Sequence, residues 1–192
     1  MTIELIGNWK KGFAYDVHTL SSTYMGVDDY GHKQWDTTRS EMGELVYQLK
    51  YNGDKSVIEK IVDLLGRYKG IKTMDAIIPI PATNKGRATQ PVNEIAKELG
   101  KRVHVQVFYD VLEKKGGGQE LKNIECPEER KKLLKEKMTL TKKHALKDKN
   151  ILLLDDLYRS GATLSVATDI LYQQAKVKNV LVLTMTKTRS TR

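Results

Sequence analysis

Two adjacent carboxylates, Asp155 and Asp156, stand between an apolar run and a short loop that carries glycine and hydroxyl residues. The apolar run, residues 151–154, is typical of a strand that is covered on both faces in a parallel sheet. From Thr163 onwards, apolar residues recur at helical spacing. The loop before this helix would aim backbone N–H groups and hydroxyls at a helix N-terminus, which favours an anion. The order of the residues therefore predicts a phosphate site at the end of a buried strand.

The same segment resembles the phosphoribosyl pyrophosphate (PRPP) motif of the type I phosphoribosyltransferases, with its apolar strand, two acidic residues and hydroxyl-Gly-x-Thr loop. The resemblance implies that Asp155 and Asp156 are catalytic and engage the ribose hydroxyls. It implies that a phosphate loop holds the ribose 5-phosphate, and the residues of that loop are Tyr158, Arg159, Ser160, Gly161, Ala162 and Thr163. Tyr158 and Arg159 depart from the commonest family pattern. Arg159 either adds a charge-assisted contact to phosphate or projects into solvent.

Each fragment of this segment also has a simpler interpretation. Two carboxylates after an apolar strand are common at the carboxyl edge of any parallel sheet, and Ser160–Thr163 is also typical of a helix cap. Joined in one uninterrupted segment, the fragments favour the phosphate site.

A second basic loop follows the predicted strand 76–80, and it would lie at the same edge of the sheet. Taken alone, it is more typical of a solvated surface turn. A phosphate loop on the same edge favours a pyrophosphate site instead, because the loop is cationic and compact. The resemblance assigns pyrophosphate binding to Thr83, Asn84, Lys85, Gly86 and Arg87.

Three consecutive glycines predict a lid, whose residues are Gly116, Gly117, Gly118 and Gln119. Such a segment is costly in backbone entropy to hold in one conformation, and a closing lid would exclude water from a reacting sugar. A flexible surface loop without this duty is an equally good interpretation. Lys50 ends a predicted helix, where it either contacts phosphate or only complements the helix dipole.

Further segments extend the resemblance over nearly the whole chain. Residues 12–19, 44–51, 78–81 and 155–164 follow in order a pattern similar to ComF-type amidophosphoribosyltransferase-like proteins. Members of that family often begin with a four-cysteine zinc module. This chain has one cysteine, Cys126, and therefore lacks that module.

Predicted strands and helices alternate from residue 71 onwards, which favours an α/β fold with a mostly parallel sheet flanked by helices. The resemblance makes this fold type I phosphoribosyltransferase-like. We predict a core at residues 71–192 and an N-terminal hood at residues 1–70, made of a hairpin and two helices. The carboxyl edge of the sheet is the expected ligand site.

Composition narrows the class of protein further. The chain has 192 residues, 40% of them hydrophobic, and no apolar run approaches the roughly 20 residues needed to cross a bilayer. We expect a cytoplasmic protein without a membrane partner. The net charge of +9 suits either nucleic acid or a polyphosphate substrate, and a solvated basic face explains it without either.

The predicted activity is transfer of a phosphoribosyl group from PRPP to a small-molecule acceptor, with release of pyrophosphate. The resemblance implies a Mg²⁺ cofactor that is held mainly through the substrate, with no direct protein ligand. The four histidines show no metal-ligand spacing, and no general base is identifiable. The alternative is a non-catalytic regulatory module on the same fold that senses PRPP or a nucleotide and acts on nucleic acid or a protein partner. A homodimer is a candidate assembly.

Overall fold

The computed structural model describes residues 2–82, 90–115, 127–142 and 145–189. The described strands are β1 (Ile3–Glu4), β2 (Lys11–Val17), β3 (Thr19–Val27), β4 (Lys33–Arg39), β5 (Ala76–Pro79), β6 (Gln106–Val107), β7 (Leu112–Lys114), β8 (Met138–Leu140), β9 (Asn150–Tyr158) and β10 (Asn179–Lys187). The described α-helices are α1 (Glu41–Tyr47), α2 (Ile58–Leu65), α3 (Pro91–Val103), α4 (Pro127–Lys137) and α5 (Ala162–Gln173). A π-helical turn covers Gln48–Asn52, and 3-10 turns cover Lys55–Val57 and Lys69–Thr73.

Six strands form the central sheet in the order β1-β2-β10-β9-β5-β6. The pairs from β2 to β6 are parallel, and β1 alone pairs with its neighbour in the antiparallel sense. Helices cover both faces of the sheet. The prediction of an α/β fold with a mostly parallel sheet flanked by helices is therefore confirmed.

Both faces of the sheet are buried, and β9 shows this most clearly. Ile151 and Leu153 belong to a core that includes residues of α4, α5 and the β7–β8 hairpin. Leu152 and Leu154 belong to a second core, with residues of α1, α2 and α3. The uniformly apolar run thus has the two-sided burial that its composition predicts.

Strand β9 is longer than the sequence pattern predicts, because it continues to Tyr158 instead of ending at Leu154. The cause is strand β10, whose pairing with β9 continues as far as Lys187 with Tyr158. The expectation that Asp155 and Asp156 lie beyond the end of the strand was therefore wrong. Both residues lie inside it.

The N-terminal part of the chain contributes directly to this sheet. β1 and β2, which fall in the predicted hood 1–70, pair with each other, and β2 pairs with β10 of the predicted core. β3 and β4 form a separate hairpin around a turn at Asp28–Gly31. The first of the two helices predicted for the hood, expected from residue 38 to residue 49, begins only at Glu41, because residues up to Arg39 pair in this hairpin.

One corner, between β2 and β3, is held tightly against α1. The hydroxyl of Ser40, which caps α1, donates to the Val17 carbonyl at 2.5 Å and accepts from the Gly43 N–H at 2.9 Å. A Cβ at Gly43 would lie 2.1 Å from the His18 carbonyl oxygen, so only glycine permits this approach. The corner therefore has a defined position relative to the carboxyl edge of the sheet.

Among the described residues, none of the helices combines the length and the apolar character that crossing a membrane requires.

Candidate functional site

The two acidic residues of β9 face opposite sides of the sheet, because successive side chains in a strand alternate. Asp156 contacts Lys50, which follows α1 on one side. Asp155 is close enough to Lys114 for the lysine charge to act on its pKa. Lys114 lies on β7 in the same orientation as the core residue Leu112, on the other side of the sheet. The two carboxylates therefore do not form a pair on one surface.

Asp155 is held mainly in its neutral form at neutral pH. Burial and the nearby Asp156 carboxylate raise the pKa of Asp155 to about 8. The N–H of Asp156, which donates to the Asp155 carboxylate at 2.9 Å, and the charges of Lys50 and Lys114 act in the opposite direction. The larger effect is the loss of water around the carboxylate.

Asp156 is neutralised differently, by an ion pair with Lys50. Lys50 Nζ lies 2.5 Å from Asp156 Oδ2, and the two side chains are 23% and 16% exposed. Burial alone would lower the pKa of Lys50, but the charge and hydrogen bond of Asp156 outweigh burial and raise it. Lys50 was predicted to contact phosphate or to complement the helix dipole. The structure places it at the site, bonded to one of the predicted catalytic acids.

The phosphate loop leads into α5, and Gly161 is the residue at the turn. Gly161 has φ +73°, a conformation that favours glycine, and no side chain caps the helix. The first-turn N–H groups of α5 therefore have no side-chain acceptor at the cap. The Ser165 N–H bonds back to the Gly161 carbonyl at 2.8 Å and closes the first turn. An uncapped helix N-terminus of this kind favours an anion.

The side chains of the phosphate loop have different environments. The Tyr158 ring is buried, with its centroid 6.4 Å from that of Trp9 in an edge-on arrangement. A Cβ at Gly161 would lie 2.8 Å from the Tyr158 ring, so the ring forms the floor of the loop. Arg159 is exposed, while Ser160 and Thr163 are partly exposed. The tyrosine, unusual for the family pattern, is thus a packing residue of the loop.

The predicted pyrophosphate loop, Thr83–Arg87, and the predicted lid, Gly116–Gln119, lie outside the described residues. A cavity of about 440 Å³ opens beside the described residues that flank the gap in the chain around Thr83–Arg87. It is lined by residues on both sides of that gap and by the β7–β8 hairpin, among them Pro81, Asn93, Tyr109, Asp110 and Lys114. The cavity and Asp155 thus share Lys114 as a neighbour.

His18 is a site residue that the sequence pattern did not reveal. It stands between β2 and β3, and its ring Nδ1 lies 3.2 Å from Thr186 Oγ1. The Thr186 hydroxyl donates to the Asp156 carbonyl at 3.1 Å. The scattered positions of the four histidines had argued only against a metal site. The place of His18 directly after a parallel strand was the one signal in the sequence that could have identified it as a site residue.

A metal ion bound by the protein itself would require several donor side chains on one surface. Within the described ranges, no group of three or more His, Cys, Asp or Glu side chains is placed to hold one. Asp155 and Asp156 face opposite sides, and Asp156 is bonded to Lys50.

No protein-family model matches this sequence, and no curated protein matches it. Several solved structures are similar in fold. Adenine phosphoribosyltransferase from Saccharomyces cerevisiae, complexed with an imino-altritol bisphosphate and adenine, is 9% identical with a TM-score of 0.48, over 88% of this chain and 85% of that one. Hypoxanthine phosphoribosyltransferase from Staphylococcus aureus is 19% identical with a TM-score of 0.45, over 70% of this chain and 65% of that one. A hypothetical protein from Neisseria gonorrhoeae with bound ppGpp is 14% identical with a TM-score of 0.43, over 69% of this chain and 68% of that one.

The raised pKa of Asp155 predicts a pH-dependent contribution to stability. The folded protein keeps a proton on Asp155 that the unfolded chain releases near its usual pKa of 3.8. This contribution to the free energy of unfolding should therefore fall as the pH rises from about 4 to about 8. Asp155→Asn removes this contribution. The stability of the variant relative to wild type should therefore rise with pH over that range and stay constant above it. Urea unfolding at several pH values measures the difference, with the exposed Asp36→Asn as control. A difference that is constant with pH would contradict the assignment.

The ion pair of Lys50 predicts a strong asymmetry between single and double variants. Lys50→Met leaves the Asp156 carboxylate buried without its partner and should cost about 1–3 kcal/mol of the free energy of unfolding. Adding Asp156→Asn should restore part of that loss, because no unpaired charge remains. Lys60→Met breaks an exposed pair with Glu41 and should change nothing measurable. Additive losses for Lys50→Met and Asp156→Asn would show that the pair is not coupled.

Proposed function

We propose that this chain is a phosphoribosyltransferase that takes PRPP as donor, transfers the phosphoribosyl group to a small-molecule acceptor and releases pyrophosphate. One observation carries the proposal. Only one short loop separates the uncapped N-terminus of α5, which is an anion site, from the strand that holds the carboxylates of Asp155 and Asp156. A sugar phosphate has hydroxyls that carboxylates can bind and a phosphate that such a helix N-terminus can bind. The resemblance of the motif to ComF-type proteins is part of the same proposal.

The phosphate loop would bind the ribose 5-phosphate with backbone N–H groups of α5 and the partly exposed hydroxyls of Ser160 and Thr163. This phosphate does not react. Its binding energy therefore serves to orient C1 of the ribose toward the acceptor. Arg159, exposed beside the loop, is placed to add a charge-assisted contact.

The two acids would act on the sugar. Cleavage of the C1–O bond builds positive charge on the ribose ring, and carboxylates beside the ring stabilise it. Asp155 is mainly neutral before the substrate binds, and positive charge near it favours the ionised form. Asp156 is fixed in place by its ion pair with Lys50.

The leaving group requires positive charge and the exclusion of water. In this proposal Thr83–Arg87 bind the pyrophosphate, and Gly116–Gln119 close over the site. A magnesium ion bound with the substrate would neutralise part of the charge on the pyrophosphate oxygens. The cavity beside Lys114 and Tyr109 adjoins the described ends of the loop at 82 and 90.

Binding of ribose 5-phosphate tests the phosphate loop. Gly161→Ala would bring a Cβ to 2.8 Å from the Tyr158 ring and force the loop to move, so affinity should fall about tenfold, or about 1.4 kcal/mol. Gly53→Ala is the matched control, since Gly53 has nearly the same backbone conformation, φ +69°, with no atom within 4 Å. Calorimetric titration measures both. Equal affinities for the two variants would place the 5-phosphate elsewhere.

Release of pyrophosphate tests the reaction itself. The protein is incubated with PRPP, magnesium and pools of amines and nucleobases, and free pyrophosphate is followed with time. We expect release that depends on one pool and falls about 100-fold or more in Asp155→Asn plus Asp156→Asn, since the charge on the ribose is then unopposed. Binding of PRPP without release, unchanged by the double substitution, would instead identify a sensing module.

A further inference from the structure

His18 is fixed at the carboxyl edge of the sheet by contacts with β10 and with α1 and its capping residue. Its N–H donates to the Lys187 carbonyl of β10 at 2.7 Å. The preceding carbonyl, that of Val17, accepts from the Ser40 hydroxyl, and α1 packs on the His18 carbonyl through Gly43. The backbone of this single residue between β2 and β3 is therefore held on both sides. Such fixation is a property of positioned groups rather than of an ordinary turn.

The hydrogen bonds of the ring determine its tautomer. Thr186 Oγ1 has one proton, and it donates that proton to the Asp156 carbonyl. The same oxygen must therefore accept from His18 Nδ1, 3.2 Å away, so Nδ1 carries the ring proton. In the neutral ring the lone pair then lies on Nε2. The geometry leaves Nε2 as the basic atom.

Charged groups surround the ring from every neighbouring element. Burial lowers the pKa of His18, and the charges of Arg39 on β4 and Lys50 after α1 lower it further. Asp156 on β9 and Glu44 on α1 act in the opposite direction but are outweighed. On β2 itself, the Asp16 carboxylate is bonded to the Val17 N–H at 2.7 Å. Together these effects favour the neutral form of the ring.

The cations near His18 have partners of their own. Lys50 is bonded to Asp156. Arg39 lies 3.4 Å from Glu44, with its guanidinium carbon 3.7 Å from the centroid of the Tyr47 ring. These contacts hold both cations in place, so the electrostatic environment of the imidazole is preorganised.

We propose that His18 is the general base of the transfer reaction and takes the proton that the attacking acceptor loses. This inference rests on the proposed function. The Thr186 hydroxyl joins the imidazole to the backbone carbonyl of Asp156, and the Asp156 carboxylate, one of the two acids assigned to the ribose, acts on the ring by its charge. The base and the sugar would therefore meet at one end of one strand.

With an amine or nucleobase as acceptor, the transfer step forms one bond and breaks one. The acceptor nitrogen forms a bond to C1 as the bond from C1 to the pyrophosphate oxygen breaks, and the leaving group takes that electron pair. The proton of the attacking N–H passes to Nε2 of His18 and then to solvent. No oxidant or further reactant is needed.

The test compares His18→Gln with the wild type in the pyrophosphate-release assay, using PRPP, magnesium and the amine or nucleobase pool that gives the fastest release. Glutamine can still donate to Thr186 but has no basic nitrogen. We expect kcat to fall about 100-fold to 10,000-fold while the Kd for PRPP changes less than about threefold. The control is His32→Gln, on the hairpin turn with a side chain that is 77% exposed, which should keep wild-type rates.

Two further measurements separate a base from a structural residue. The wild-type rate should rise with pH through an apparent pKa below 6.5 that is missing in His18→Gln. In the free protein, nitrogen NMR of labelled histidine should show the Nδ1–H tautomer for the signal that His18→Gln removes. An Nε2–H tautomer would overturn the proposal whatever the activity.

The outcomes also separate this inference from the proposed function. Pyrophosphate release that His18→Gln leaves unchanged overturns the role of His18 alone. A loss of PRPP affinity as large as the loss of rate overturns it too, because a base should act on the rate. Wild-type protein that binds PRPP but releases no pyrophosphate with any pool overturns both.

Discussion

The parallel pairing of β9 with β10 is the constraint on which the site depends. It continues past the apolar run as far as Tyr158 and Lys187, so it carries Asp155 and Asp156 into the sheet. Because neighbouring side chains in a strand alternate, the acids then face different surroundings. Had β9 ended at Leu154, both carboxylates would lie in a solvated loop and would need no special accommodation.

Two charges inside a strand have to be accommodated, and the protein uses a different means for each. Asp155 keeps its proton, because burial beside another carboxylate makes the ionised form unfavourable. Asp156 is paired with Lys50. The two acids therefore contribute little uncompensated negative charge before a ligand binds. A cationic ligand or a magnesium complex would change this balance, and that makes the edge responsive to the chemistry that we propose.

The N-terminal part of the chain completes this edge instead of only covering it. β2 pairs with β10, which places His18 beside Thr186. α1 and the turn after it bring Lys50 to Asp156, and β4 brings Arg39 close to the same group of charges. Residues that are more than 100 positions apart thus share one hydrogen-bonded and electrostatic unit. The β9 and α5 segment alone would lack both the lysine and the imidazole.

The sequence by itself determined the α/β class, the two-sided burial of β9 and the candidate phosphate loop, because each depends on periodicity and local order within a short segment. Only the tertiary structure decided the length of β9, the opposite orientation of its acids, the partner of Lys50 and the place of His18. These depend on which strand lies beside which, and strand pairing between distant segments leaves no periodic trace in either of them. The tyrosine and glycine of the phosphate loop show the difference between what the sequence and what the tertiary structure determined. Gly161 was recognisable from the motif, whereas the packing of Tyr158 beneath it required Trp9 from the other end of the chain.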